Sequence, residues 1–350
     1  MKIHYKDRYF MRKYLKFQLW IIVVILFLNW KINEIVGITL LKPVVLVQIL
    51  TSLIWESNNY RVIDTRNGAN MIEKFIEING IKIEYLEAGN ANSPTLVLFH
   101  GFPSSSFMFR NLIPMLEDDF HLIAPTYPGF GKSDAPDRDS FKYTFDNIAD
   151  VMDEFLKEIN INKFYMYVFD YGAPIGFRIA LKHPESILGI ISQNGNVYEE
   201  GLGKKWEARK EYWKNPTKEL REQYKSAFSR DVVIGQYTFG TEEGSVKEDG
   251  YESDLYFAKT IKDYDEIQSD LIFDYQSNVQ LYPKFQEYLR TYQPRLLAVW
   301  GKYDPSFIWD GALAFKKDLP NAVIKPVESG HFALENKCEE IAKYIKEFKK

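Results

Sequence analysis

Across its 350 residues the chain holds a single cysteine, Cys338. An intrachain disulfide and a cysteine metal cluster are therefore excluded. Charge of one sign is not in excess: the formal net charge is -4, which gives no electrostatic case for binding nucleic acid. Histidine is scarce, with five in the chain. No Gly-x-Ser-x-Gly occurs, so the usual serine turned out on a strand–turn–helix is missing. Gly131-Lys132-Ser133 looks like the end of a phosphate loop, but the first glycine of that motif would fall at Thr126. Internal repeats and low-complexity tracts are absent too. Nothing implies a metal or a nucleotide cofactor, and none is expected.

What is present is a folded chain with a sizeable core: 46% hydrophobic and 26% charged residues, with 25 Phe and 23 Tyr. The first 16 residues are basic, carrying Lys2, Lys6, Arg8, Arg12, Lys13 and Lys16. Phe17 to Trp30 is apolar, and a second apolar stretch runs from Ile35 to Trp55. No small-residue cleavage site follows the first run, so residues 17–55 are expected to attach the protein to membrane lipid. Which side of the membrane the rest would occupy is open. Residues 56–71 are polar and read as a linker.

From residue 72 the pattern alternates. Phe75 to Ile78 and Ile81 to Leu86, joined at Asn79-Gly80, read as a hairpin. Short apolar runs at Thr95 to Phe99 and Leu122 to Pro125 read as strands buried on both faces, and Phe164 to Phe169, Ile187 to Ser192, Leu296 to Trp300 and Val323 to Val327 read as further strands. Helical periodicity marks Ile148 to Ile159 and Ile341 to Phe348. Strands alternating with helices imply a mostly parallel sheet with helices on both faces. The alternation stops over residues 195–290, which are helical and rich in Tyr, Lys and Glu, and resumes at 291–350. This interval is expected to be a helical cap inserted into a core formed by 72–194 and 291–350.

One segment carries the most chemistry. The strand Phe164 to Phe169 ends at Asp170, and a helical pattern begins almost at once after Tyr171-Gly172. A reactive side chain on such a turn is held out at the end of a sheet. An aspartate there is ionised at neutral pH and needs no base to act as a nucleophile.

Four further segments follow strands in order: His100-Gly101-Phe102-Pro103, Tyr127-Pro128-Gly129-Phe130-Gly131-Lys132-Ser133-Asp134, Gly301-Lys302-Tyr303-Asp304, and Gly330-His331-Phe332-Ala333-Leu334-Glu335. With the Asp170 turn they resemble the α/β-hydrolase fold family, and within it the epoxide hydrolases and haloalkane dehalogenases. The resemblance spans roughly residues 72–350. It implies an α/β-hydrolase fold and a hydrolase that forms an alkyl ester on Asp170. His331 would be the base for ester hydrolysis and Asp304 the acid that orients it. The backbone N–H groups of Phe102 and Tyr171 would form the oxyanion hole. Some relatives carry the acid one strand earlier, where this chain has Asn194-Gly195-Asn196.

The leaving group is the harder choice. Many dehalogenases have Asn in place of Phe102 and Trp in place of Tyr171, and His-Gly-Phe-Pro is the usual epoxide hydrolase form. Tyr275 precedes Asp304 at a distance similar to that of a ring-opening tyrosine in that family. Its partner is open among Tyr198, Tyr212 and Tyr237. The resemblance favours hydrolysis of a small apolar epoxide. Dehalogenation remains the alternative, with Trp206 and Trp213 as possible halide donors. A non-catalytic ligand-binding protein of this fold is the reading from another class.

Overall fold

The computed structural model describes residues 60–64 and 70–349. The chain divides into a unit of residues 1–61 and a unit of residues 62–350. Apart from Tyr60 and Arg61, everything discussed below lies in the second unit.

Nine strands form one sheet: β1 (Tyr60–Asp64), β2 (Asn70–Ile78), β3 (Ile81–Ala88), β4 (Thr95–Phe99), β5 (His121–Pro125), β6 (Phe164–Phe169), β7 (Ile187–Gln193), β8 (Leu296–Gly301) and β9 (Val323–Val327), in the order β1-β2-β3-β5-β4-β6-β7-β8-β9. β2 and β3 pair antiparallel from Ile78 opposite Ile81, because Asn79 and Gly80 both adopt positive φ, as a two-residue turn requires. From β5 to β9 each neighbouring pair is parallel. β4 and β8 are buried at every position, which explains their unbroken apolar sequences.

The α-helices are α1 (Ile113–Leu116), α2 (Phe145–Glu158), α3 (Gly172–Lys182), α4 (Lys205–Lys214), α5 (Lys218–Lys225), α6 (Arg230–Thr238), α7 (Glu248–Thr260), α8 (Tyr264–Tyr292), α9 (Trp309–Ala314) and α10 (Cys338–Lys349). Two apolar clusters flank the sheet. One joins α2, α3 and α8 to β4 and β6 through Phe99, Met152, Phe155, Met166, Phe177 and Phe285. The other gathers Leu98, Phe109, Tyr167, Leu297, Ile341 and Ile345 on the opposite face. Successive side chains on a strand alternate between faces, so Leu98 and Phe99 belong to different clusters. The expected α/β layering is present. Helices α4 to α8 all lie between β7 and β8, in the interval expected to be the cap.

Membrane attachment is corrected. Among the described residues no helix is long and apolar enough to cross a membrane. The two apolar runs at 17–55 lie outside the described residues, as does most of the segment expected to be a linker. Nothing among the described residues supports a membrane location or a lipid partner.

Candidate active site

β4 lies between β5 and β6, the point where the direction of strand succession reverses. Loops leaving the C-terminal ends of adjacent parallel strands diverge there and leave a crevice. His100 to Pro103 leaves β4 at that point, and Asp170 leaves β6.

Asp170 has φ +48°. That left-handed conformation costs a non-glycine residue about 1–3 kcal/mol. The surrounding backbone enforces it. A Cβ on Gly101 would fall 2.4 Å from Asp170 Cβ, and one on Gly172 would fall 2.2 Å from the Phe99 carbonyl oxygen. Glycine at both positions lets β4, the turn and α3 close around the carboxylate.

The backbone N–H of Phe102 donates to Asp170 Oδ1 at 2.8 Å. The other oxygen, Oδ2, stands 3.5 Å from His331 Nε2. His331 Nδ1 is 2.6 Å from Asp304 Oδ2. The second carboxylate is fully committed: its Oδ1 accepts from the N–H groups of Ser306 and Phe307 at 2.7 and 3.2 Å, and Oδ2 also accepts from Asn194 Nδ2 at 2.8 Å. Asp170, Asp304 and His331 are all buried. Burial alone would push the imidazole pKa down, but Asp304 and Asp170 on its two sides overcome this and raise it to about 10.

The chain thus brings its three expected triad residues into one array. Phe102 stands where the oxyanion donor is expected. Tyr171 adjoins the carboxylate, but its N–H makes no hydrogen bond to it. The remaining histidines that the structure describes lie elsewhere. His100 is fully buried, which lowers its pKa to about 3; Nδ1 faces the Gly101 carbonyl at 3.1 Å and Nε2 accepts from the Tyr127 N–H at 3.2 Å. It holds the loop. His121 bridges Thr95 and Glu87, and His183 faces Asp153.

Asn194 was visible only as a missing carboxylate. In the structure its Oδ1 accepts from Gly301 N–H at 2.8 Å while Nδ2 holds Asp304. Gln193 Nε2 donates to the His331 carbonyl at 2.9 Å. The end of β7 therefore positions both the acid and the imidazole.

Tyr275 lies in α8 with its ring centroid 6.0 Å from that of Tyr171 and 4.4 Å from that of Trp206. Its hydroxyl is 3.4 Å from that of Tyr282, which in turn accepts from Asn196 Nδ2 at 3.3 Å. Tyr282, which the sequence did not single out, is the tyrosine whose hydroxyl meets that of Tyr275. Two of the residues considered for that role are engaged elsewhere, Tyr198 with Asp318 and Tyr237 with Asp254. Tyr212 packs on Tyr224. Two surface depressions, of about 540 Å³ beside Asp137 and Lys262 and about 580 Å³ beside Pro114 and Lys343, include none of the triad residues. Burial, hydrogen bonding and the paired carboxylates locate the chemistry instead.

The family description "alpha/beta hydrolase fold" matches residues 94–337. The chain belongs to the α/β-hydrolase fold family. An uncharacterized hydrolase of Saccharomyces cerevisiae is 43% identical, over 79% of this chain and 97% of its own length. Among solved structures, the fold is shared with the haloalkane dehalogenase DbeA of Bradyrhizobium elkani (TM-score 0.67, 21% identity, covering 80% of this chain and 97% of that one). It is also shared with the epoxide hydrolase VrEH1 of Vigna radiata (TM-score 0.63, 18% identity, covering 79% and 97%). This α/β-hydrolase is a hydrolytic enzyme. None of these matches lends support to a membrane anchor.

Proposed function

We propose that the enzyme hydrolyses an epoxide to a diol through an ester on Asp170. The observation that carries this reading is the asymmetric holding of one carboxylate, with Oδ1 on the Phe102 N–H and Oδ2 beside His331. Oδ2 is the oxygen free to attack. It forms a bond to a ring carbon while the ring C–O bond breaks and its electron pair moves to the oxygen. Tyr275 gives that oxygen a proton. The 3.4 Å contact allows either hydroxyl to donate, and the reaction uses the arrangement in which Tyr282, accepting from Asn196, donates to Tyr275 and leaves the Tyr275 O–H to donate onward.

Esterification neutralises Asp170 and removes one of the two negative charges that hold the His331 proton. The imidazole pKa falls, the proton that His331 carried passes to the Tyr275 phenolate, and the neutral imidazole becomes able to take a proton from water. The resulting hydroxide adds to the ester carbonyl, whose oxygen is Oδ1. Negative charge builds there, against the Phe102 N–H, with the Tyr171 N–H as the second donor once the site is occupied. Collapse breaks the bond from the acyl carbon to Oδ2, which leaves on the diol and takes the proton of the new carboxyl group; Asp170 returns as the carboxylate and His331 as the imidazolium. Asp304 keeps the imidazole oriented throughout. Helices α4 to α8 act as the cap over this reaction.

Epoxide opening is favoured over dehalogenation by what the indoles do. Trp206 Nε1 donates to the Ser306 carbonyl at 2.9 Å, and Trp213 Nε1 to the Ile272 carbonyl at 3.1 Å. Neither is available to a halide without losing a hydrogen bond. A panel of terminal epoxides against 1-halo and 1,2-dihaloalkanes tests the reading. Diol formation without halide release is expected; halide release with no epoxide opening overturns it.

A further inference from the structure

Helix α8 carries Tyr275 beside Tyr171, the residue after Asp170, and the same face continues toward its N-terminus. Positions spaced by four and three residues share a helix face, which places Tyr264, Gln268, Leu271 and Tyr275 in one stripe. All four are buried. Two of them are polar without a partner: the Tyr264 hydroxyl and both the oxygen and the nitrogen of the Gln268 amide make no hydrogen bond. Gln268 is 0% exposed. Three orphaned polar atoms within one helical turn are uncommon, because each loses its hydration and gains nothing in return.

Their surroundings connect them to the reaction. The Tyr264 ring lies 6.0 Å from that of Phe228, which lies 5.7 Å from Phe102; Phe102 in turn is 5.7 Å from Tyr171, and Tyr171 6.0 Å from Tyr275. These rings pass from Tyr264 across the oxyanion loop to the ring-opening tyrosine, and Gln268 stands on α8 between the two ends. The charged groups that Tyr264 feels are both acidic, Asp254 and Asp265. That environment disfavours a carboxylate or phosphate on a ligand.

We propose that Tyr264 and Gln268 form a polar subsite for a neutral group of the substrate that both donates and accepts, a hydroxyl or a carboxamide, remote from the ring carbon attacked by Asp170. The proposal rests on the epoxide reading and refines it: the preferred substrate is a functionalised epoxide rather than a plain hydrocarbon one. The amide of Gln268 offers a donor and an acceptor side by side, and the Tyr264 hydroxyl adds a third site. At a rise of about 1.5 Å per residue, Gln268 lies roughly 10 Å along the helix from Tyr275. That corresponds to a polar group about six carbons from the epoxide ring.

The test uses the full-length enzyme and a matched pair of substrates, a terminal epoxide with a hydroxyl about six carbons from the ring and its unsubstituted analogue. The wild type is expected to favour the hydroxylated member by about tenfold or more in kcat/KM, because the plain chain leaves the polar groups unpaired. In the double variant Tyr264→Phe, Gln268→Leu the ratio should fall to near one while the plain epoxide is still consumed. An unchanged ratio overturns the subsite and leaves the epoxide reading standing. A second arm needs no turnover. Replacing an unpaired buried amide by a side chain of similar shape should raise the Tm of the free protein in Gln268→Leu alone. A lower Tm would show that the amide is already satisfied without substrate, and would also overturn the proposal. Loss of all epoxide activity in the wild type, with the Tm rise intact, would instead sink the reaction and keep the polar subsite.

Discussion

Phe102 and Asp170, 68 residues apart in the chain, are joined by one hydrogen bond of 2.8 Å from backbone N–H to carboxylate Oδ1. The bond makes the two oxygens of the carboxylate unequal. In the proposed mechanism Oδ1 becomes the ester carbonyl and Oδ2 attacks. An amide in that position keeps the shape and loses the nucleophile. Asp170→Asn is expected to lose all turnover while retaining its far-UV circular dichroism and Tm. Near-normal activity in a preparation checked for deamidation would remove Asp170 from the mechanism.

The pair of carboxylates around His331 makes stability depend on pH. Its folded pKa of about 10 lies above the value of about 6.5 for a free imidazole. The folded state therefore binds the extra proton between these values. The stabilisation is complete below about 6.5, declines as pH rises through the interval, and is gone above about 10. Denaturant unfolding from pH 6 to 10 should show a steeper decline for the wild type than for His331→Gln. Parallel profiles would contradict the charged array.

Tyr275→Phe removes the proposed proton donor and leaves the ring packed on Trp206. The alkylation step with an epoxide should slow by about 10² or more, within the range of general acid catalysis. Pre-steady-state kinetics checks this, and an unchanged rate would transfer the role to another group.

Asn194→Ala deletes a buried donor to the charged Asp304 Oδ2 and an acceptor for Gly301 N–H. Hydrogen bonds to charged groups contribute about 1.5–3 kcal/mol. A loss of that order in denaturant unfolding, together with a lower kcat, is expected. Unchanged stability would mean that the end of β7 does not support the acid.

The fold was largely legible because its strands are short, apolar and separated by turn residues. Thr95–Phe99, Phe164–Phe169 and Val323–Val327 form strands with the same bounds as their apolar runs. Helix α8 was less legible. Its residues stand out only as part of a helical interval, and Pro283 removes an N–H from the ladder. The helix nevertheless runs to Tyr292, because Asn278, Tyr282, Phe285 and Leu289 continue its buried face. The meeting of Asp170, Asp304 and His331 could be read because chain order and strand ends constrain it. Tyr282 and Asn194 could not, since their roles depend on which side chains meet across distant segments. Asn194 had one local signal, its place at the end of a strand where relatives carry an acid.

The claim that the reaction passes through Asp170 is tested most directly by one turnover of an epoxide in 18O-labelled water with enzyme in excess. The oxygen added to the substrate should come from the Asp170 carboxylate, so the first diol should be unlabelled and the peptide containing Asp170 should gain one 18O. A first diol carrying 18O, with that peptide unlabelled, would mean that water attacks the epoxide directly and would contradict the account.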